Sequence, residues 1–113
     1  MKHSSRNLVA AAMALCSLGA AANEAQKIMM QLPSDKQDVA LIHVITSADE
    51  PCDKVTRKFF QGSDKRGNAF WNASCSNGKS FVVMFKNDAL GSTSVLDCGV
   101  MKVAGGQRCF TKF

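Results

Sequence analysis

Four cysteines, Cys52, Cys75, Cys98 and Cys109, constrain this chain more than any other feature, because they stand behind a stretch that reads as an export leader. Lys2 and Arg6 give a positive start, Leu8 to Leu18 is an uncharged, mostly apolar run, and Ala20-Ala21-Ala22 offers a small-residue cleavage site before Asn23. The run is too short to be kept as a membrane anchor. A fifth cysteine, Cys16, leaves with the leader; it follows Leu15 rather than a small residue, so it does not read as a lipid-attachment site. An even number of cysteines in a small exported domain implies two disulfides in an oxidising compartment. The expected organisation is a signal peptide over 1–22 and one disulfide-bonded domain over 23–113, periplasmic or secreted, from a bacterium.

A core of this size leaves little margin over chain entropy, so covalent staples make physical sense. Removing Lys2 and Arg6 from 14 basic residues, against 9 acidic ones, leaves a net charge of +3. The basic residues are interleaved with acids, as on a solvated surface, and do not indicate a specific nucleic-acid partner. No second apolar run is long enough for a membrane span.

Ala25, Ile28, Met29 and Leu32 recur at helical spacing, so a helix is expected from Asn23 to Leu32, ended by Pro33. Ser34 and Gln37 have capping-box spacing, with Asp35 and Asp38 suited to a first turn. The run Val39 to Ile45 is rich in β-branched residues, which favours a strand, but the cap favours a buried helix. Helix is the reading adopted.

Four turn signals divide the remainder: Gly62 to Gly67, Asn77-Gly78, Asn87 to Gly91 and Gly105-Gly106. They predict strands near 53–60, 69–75, 80–86, 93–98 and 108–112, an antiparallel meander of four or five strands packed with one or two helices in an α+β fold. Asn77-Gly78 suggests a two-residue type I′ hairpin. That register puts Phe70, Phe81, Val83 and Phe85 on one face, and Trp71, Val82 and Met84 on the other. The helix over 34–48 is expected to cover one face. The N-terminal helix, residues 99–113 or a second subunit covers the other. Phe70, Phe81, Val83, Phe85 and Trp71, with Arg57 nearby, are therefore the candidate binding surface, and a homodimer or another envelope protein is the candidate partner.

Strand geometry selects Cys52–Cys75 and Cys98–Cys109. Cys75 and Cys98 would lie on strands separated by a third, about 9–10 Å apart, beyond disulfide reach. The register that puts Val55 and Phe59 on the face of Trp71 sets Cys75 opposite Asp53 rather than Cys52, so a bulge, or a Cys52 outside the ladder, is required.

Little points to chemistry. His43 is the one histidine after the leader and sits in an apolar run. It reads as a packed residue, and a small hydrolase using it is the least favoured function. No C-x-x-C pair suggests a metal or redox site. Asp49, Glu50 and Asp53 lack the alternation of a calcium loop. Asn72-Ala73-Ser74 matches a glycosylation sequon, read as chance within a strand. No cofactor is expected, and a non-enzymatic binding or structural protein is the preferred class.

The segment Cys75-Ser76-Asn77-Gly78-Lys79-Ser80-Phe81-Val82-Val83, with a cysteine 23 residues before Cys75, resembles small exported proteobacterial proteins of unknown function. In these a helix leads to a cysteine, a strand, a second cysteine and an N-G hairpin. The same pattern is similar to periplasmic C-type lysozyme inhibitors, which implies inhibition of a lysozyme or other hydrolase as the alternative function. That family enters the lysozyme cleft with a loop of Ser-Gly-x-x-Tyr type. Here there is no tyrosine, and Gly91-Ser92-Thr93 does not reproduce the loop.

Overall fold

The chain is a two-layer α+β structure in which two helices pack on one face of a four-stranded antiparallel meander. The computed structural model describes residues 23–103 and 108–113. The expected leader over 1–22 and Gly105-Gly106 lie outside these residues.

Asn23 is the first of the described residues. Its Oδ1 accepts from Gln26 N–H (3.0 Å) and caps helix α1, Glu24–Gln31. Its Nδ2 donates to the carbonyls of Gly67 (2.9 Å) and Phe85 (2.8 Å), so the residue that starts the helix also fixes it to the end of the sheet. Leu32 is extended before Pro33, and helix α2 runs over Ser34–Ser47. The capping box expected at Ser34 does not form. Pro33 occupies the cap position, and Ser34 is already helical. Gln37 instead donates to Met29 O (2.9 Å), bracing the two helices, while Ser34 Oγ accepts from Lys58 Nζ (2.7 Å). Segment 39–46 is helical, with Leu41 and Ile45 fully buried.

Strands β1 Val55–Ser63, β2 Ala69–Cys75, β3 Ser80–Phe85 and β4 Thr93–Asp97 lie in the order β1-β2-β3-β4. A short helix, α3, follows over Cys98–Val103. The fifth strand expected near 108–112 is not formed. Phe110 has φ 61, which turns the chain out of the extended region.

The expected β2–β3 register is corrected by one residue. Gly78 N–H donates to Cys75 O (3.0 Å) and Cys75 N–H to Lys79 O (2.8 Å), which closes a three-residue loop, Ser76-Asn77-Gly78. Only Gly78 takes positive φ (+87), where a type I′ turn would also need it at Asn77. The extra loop residue pairs Ser74 with Ser80, Ala73 with Phe81 and Trp71 with Val83. A one-residue slip moves each β3 side chain to the opposite face. The inner face is thus Ala69, Trp71, Ala73, Cys75, Phe81, Val83 and Phe85, all buried against Met29, Leu41 and Ile45. Fully burying each of the large ones is worth about 1.5–3 kcal/mol. Trp71 Nε1–H donates to Gln26 Oε1 (2.8 Å), so the one polar atom of the indole is satisfied within the core.

Both disulfides pair as expected, Cys52–Cys75 and Cys98–Cys109. Cys52 lies ahead of β1, outside the ladder, and Cys75 stands opposite Val55. Register shifts between Val55 and Arg57 and between Phe60 and Gly62 mark two bulges in β1. The first turns Phe59 away from Trp71 and brings Phe60 onto it, ring centroids 5.3 Å apart. Among the described residues no helix is long and apolar enough to cross a membrane.

Candidate functional site

Among the described residues, the outer face of the sheet, away from α1 and α2, is covered over only part of its width. Its β1–β2 half lies under residues 108–113. Gln61 and Asn72 are both fully buried there. Asn72 Nδ2 donates to Gln61 Oε1 (3.1 Å), Gln61 Nε2 donates to Arg108 O (2.9 Å), and Phe110 N–H donates to Asn72 Oδ1 (2.6 Å). Phe113 N–H donates to Gln61 O (3.1 Å). Two buried amides thus serve as sockets for the main chain of the C-terminal segment, as buried polar groups require.

Aromatic contacts complete this roof. Phe113 meets Phe70 edge-on with centroids 5.2 Å apart. It also passes so close to Gly62 that a Cβ there would lie 3.0 Å from the ring. The Arg57 guanidinium stacks 4.0 Å from the centroid of Phe110, and Lys112 Nζ sits 4.8 Å from that of Phe60. The disulfide to Cys98 anchors the segment at its root.

Beyond the roof, Phe70, Val82, Met84, Ser94 and Leu96 line an apolar depression of about 100 Å³. Phe70 comes from β2, Val82 and Met84 from β3, and Ser94 and Leu96 from β4. Cross-strand pairing of Phe70 with Met84 and of Val82 with Leu96 sets its floor. Leu96 is 43 % exposed and Phe113, at the roof margin, 56 %. The groove offers apolar contact and a single hydroxyl, Ser94.

The sequence-derived binding surface is therefore split. Phe81, Val83, Phe85 and Trp71 are core residues under the helices. Phe70 is on the outer face and borders the groove, and Arg57 is committed to Phe110. The polar residues gave a usable sign of the true faces: Asn72, Ser74 and Ser80 sort together only in the observed register, where Ser74 and Ser80 hydroxyls meet at 2.7 Å. Gln61, Leu96 and Phe110 carried no comparable mark.

His43 is exposed on α2 rather than packed. Its carbonyl accepts from Thr46 Oγ1 (3.2 Å) and Ser47 Oγ (2.7 Å). No three His, Cys, Asp or Glu side chains converge on a metal position among the described residues. Asn72 of the sequon is buried and fully used.

One further polar cluster interlocks the β1–β2 and β3–β4 loops. Asp64 Oδ1 accepts from the N–H groups of Arg66 (2.9 Å) and Asn68 (3.0 Å), and Oδ2 from Asn68 Nδ2 (3.0 Å). Asn68 Oδ1 accepts from Asn87 N–H (2.9 Å), and Asn87 Nδ2 donates to Arg66 O (3.1 Å). Desolvation pushes the Asp64 carboxyl up, but its hydrogen bonds from Asn68 and Arg66 together outweigh this and hold it below its ordinary value. Asp88 is likewise held down, chiefly by the backbone N–H of Ser92. Both carboxylates are satisfied by their own loops, so the cluster is a structural clasp.

Comparison with family models, with curated proteins and with solved structures finds no match.

Proposed function

We propose that this chain is a small, exported, non-enzymatic binding protein of the bacterial envelope, and that it binds through the apolar groove of the outer sheet face. The observation that carries this reading is the incomplete roof. Residues 108–113 cover one half of the face with dedicated hydrogen bonds, and Phe70, Val82, Met84, Ser94 and Leu96 form a depression beside it. The leader-like start and two disulfides support an oxidising, exported setting. The groove's single hydroxyl and apolar walls suit an apolar ligand group docked beside a polar rim.

The test compares immobilised wild-type protein with Leu96→Asp and Val39→Asp as baits for an envelope extract. Leu96 borders the groove; Val39 is exposed on α2, across the molecule. A component held by wild type and Val39→Asp and lost from Leu96→Asp supports the proposal. A component that Leu96→Asp holds equally well, or none held by the wild type, overturns it. The purified protein is expected to leave the rate of lysozyme-driven lysis unchanged, and measured inhibition would put the hydrolase-inhibitor reading in its place.

A further inference from the structure

The sheet has two edges, and they are built differently. β1 is interrupted by two bulges, carries Arg57 and Lys58, and has the Gln61 carbonyl occupied by Phe113 N–H. Bulges and positive charge are the usual means of keeping an edge from pairing with another chain. β4 has neither bulge nor positive charge. Its register against β3 runs without a shift from Phe85↔Thr93 to Phe81↔Asp97, and Thr93-Ser94-Val95-Leu96-Asp97 contains no proline, glycine or basic residue.

The groups that β4 presents are fixed by the ladder. Lys86 N–H donates to Ser92 O (2.8 Å), which makes Lys86 and Ser92 a hydrogen-bonded pair. In an antiparallel ladder such pairs alternate, so Ser94 and Leu96 also turn their main-chain groups toward β3. Thr93 and Val95 therefore turn both main-chain groups to the open edge, where no strand of the described residues lies beside them, and Asp97 turns its N–H there while its carbonyl opens helix α3.

We propose that this edge is a self-association surface and that a second copy of β4 occupies it, antiparallel and centred on Val95. The sequence is complementary to its own reverse in that register. Val95 faces the Val95 of the second copy and exchanges two hydrogen bonds with it, Thr93 faces Asp97 in both directions so that Asp97 N–H reaches Thr93 O, and Thr93 N–H shares the Asp97 carbonyl with the first turn of α3. The two Asp97 carboxylates fall about 14 Å apart along the strand, beyond the screening length at physiological salt. One residue of slip in either direction loses the outward alignment of donors. The two-fold axis is perpendicular to the sheet, so both helical layers lie on one side and both outer grooves on the other. The result is a continuous eight-stranded sheet. A five-residue strand pair is small for a permanent interface, so the dimer is reversible. The proposal does not depend on what occupies the groove, because it rests on main-chain geometry alone.

Amide hydrogen exchange of the oxidised protein, with sedimentation on the same samples, tests it. For a dissociation constant of about 100 µM, raising the concentration from about 10 µM to about 1 mM slows exchange at Thr93, Val95 and Asp97 about fourfold. Ser94 and Leu96 amides, held by β3, change little. Thr93→Pro removes an outward donor at the first residue of the strand, where proline does not disturb the β3–β4 ladder. It is expected to leave the monomer folded and to abolish the concentration dependence. A species that stays monomeric throughout the range overturns the proposal. So does a dimer whose protection falls elsewhere, or one that Thr93→Pro leaves intact.

Discussion

Asn72 and Gln61 are hydrogen-bonded to each other across β1 and β2, fully buried, and each also holds a main-chain group of the C-terminal segment. Removing the Asn72 amide leaves Gln61 Oε1 and Phe110 N–H without partners. Asn72→Ala is therefore expected to destabilise the protein by about 2–4 kcal/mol, as two orphaned buried groups do. Denaturant midpoints measure this. The double variant Asn72→Ala/Gln61→Ala should lose less than the sum of the single losses, because the two residues act as one unit.

The two disulfides should fail differently. Cys52–Cys75 spans 23 residues and joins the entry of β1 to the end of β2 in the core, whereas Cys98–Cys109 spans 11 and tethers the roof. Each contributes about 3 kcal/mol on a loop-entropy account. With Cys98→Ser/Cys109→Ser, native Trp71 fluorescence is expected to persist, because the indole is packed with the helices on the opposite face. Proteolysis near residue 108 should accelerate. Loss of the native Trp71 signal in that variant would show that roof and core fold as one unit.

Asp64 and Asp88 both ionise more readily in the folded chain than at the ordinary value of 3.8. A carboxyl lowered on folding contributes stability above its unfolded pKa and loses it as pH falls through the folded one. Stability should therefore be level above about pH 5 and decline as the solution is acidified below about pH 4. Urea titrations across this range check the slope. Asp64→Asn with Asp88→Asn should flatten it, since an amide keeps one acceptor and does not titrate.

Helices, four of the five expected strands and both disulfide pairings were legible because each rests on local chemistry or on coarse strand order. Pro33 separates two amphipathic runs, and the spacing of the cysteines excludes pairing across an intervening strand. What failed was fine register. Asn77-Gly78 is compatible with a two-residue or a three-residue loop, and the sign of φ at Asn77 decides between them. That single torsion reassigns Phe81, Val83 and Phe85 from the face of Phe70 to the face of Trp71. A bulge in β1 was one of two ways to reconcile Cys52–Cys75 with the strand register, but the positions at Thr56 and Gln61 were not legible, because they depend on what packs against β1. The roof was expected only as one of three covers for the second face. Its hold depends on Asn72 and Gln61 meeting a segment far along the chain.

That separation sets an order of events. Asn72 waits for Phe110, 38 residues downstream, and Gln61 for Arg108, 47 downstream. Until those residues arrive, two amides sit on the sheet hydrated and unpaired, and the outer face cannot dry. A chain that emerges amino end first can form its helices and hairpins as they appear, but it closes the outer face only when residues near 110 are available. Residues 108–113 are thus the segment that locks the sheet, and a chain halted before them would present an open, wet face to any protease.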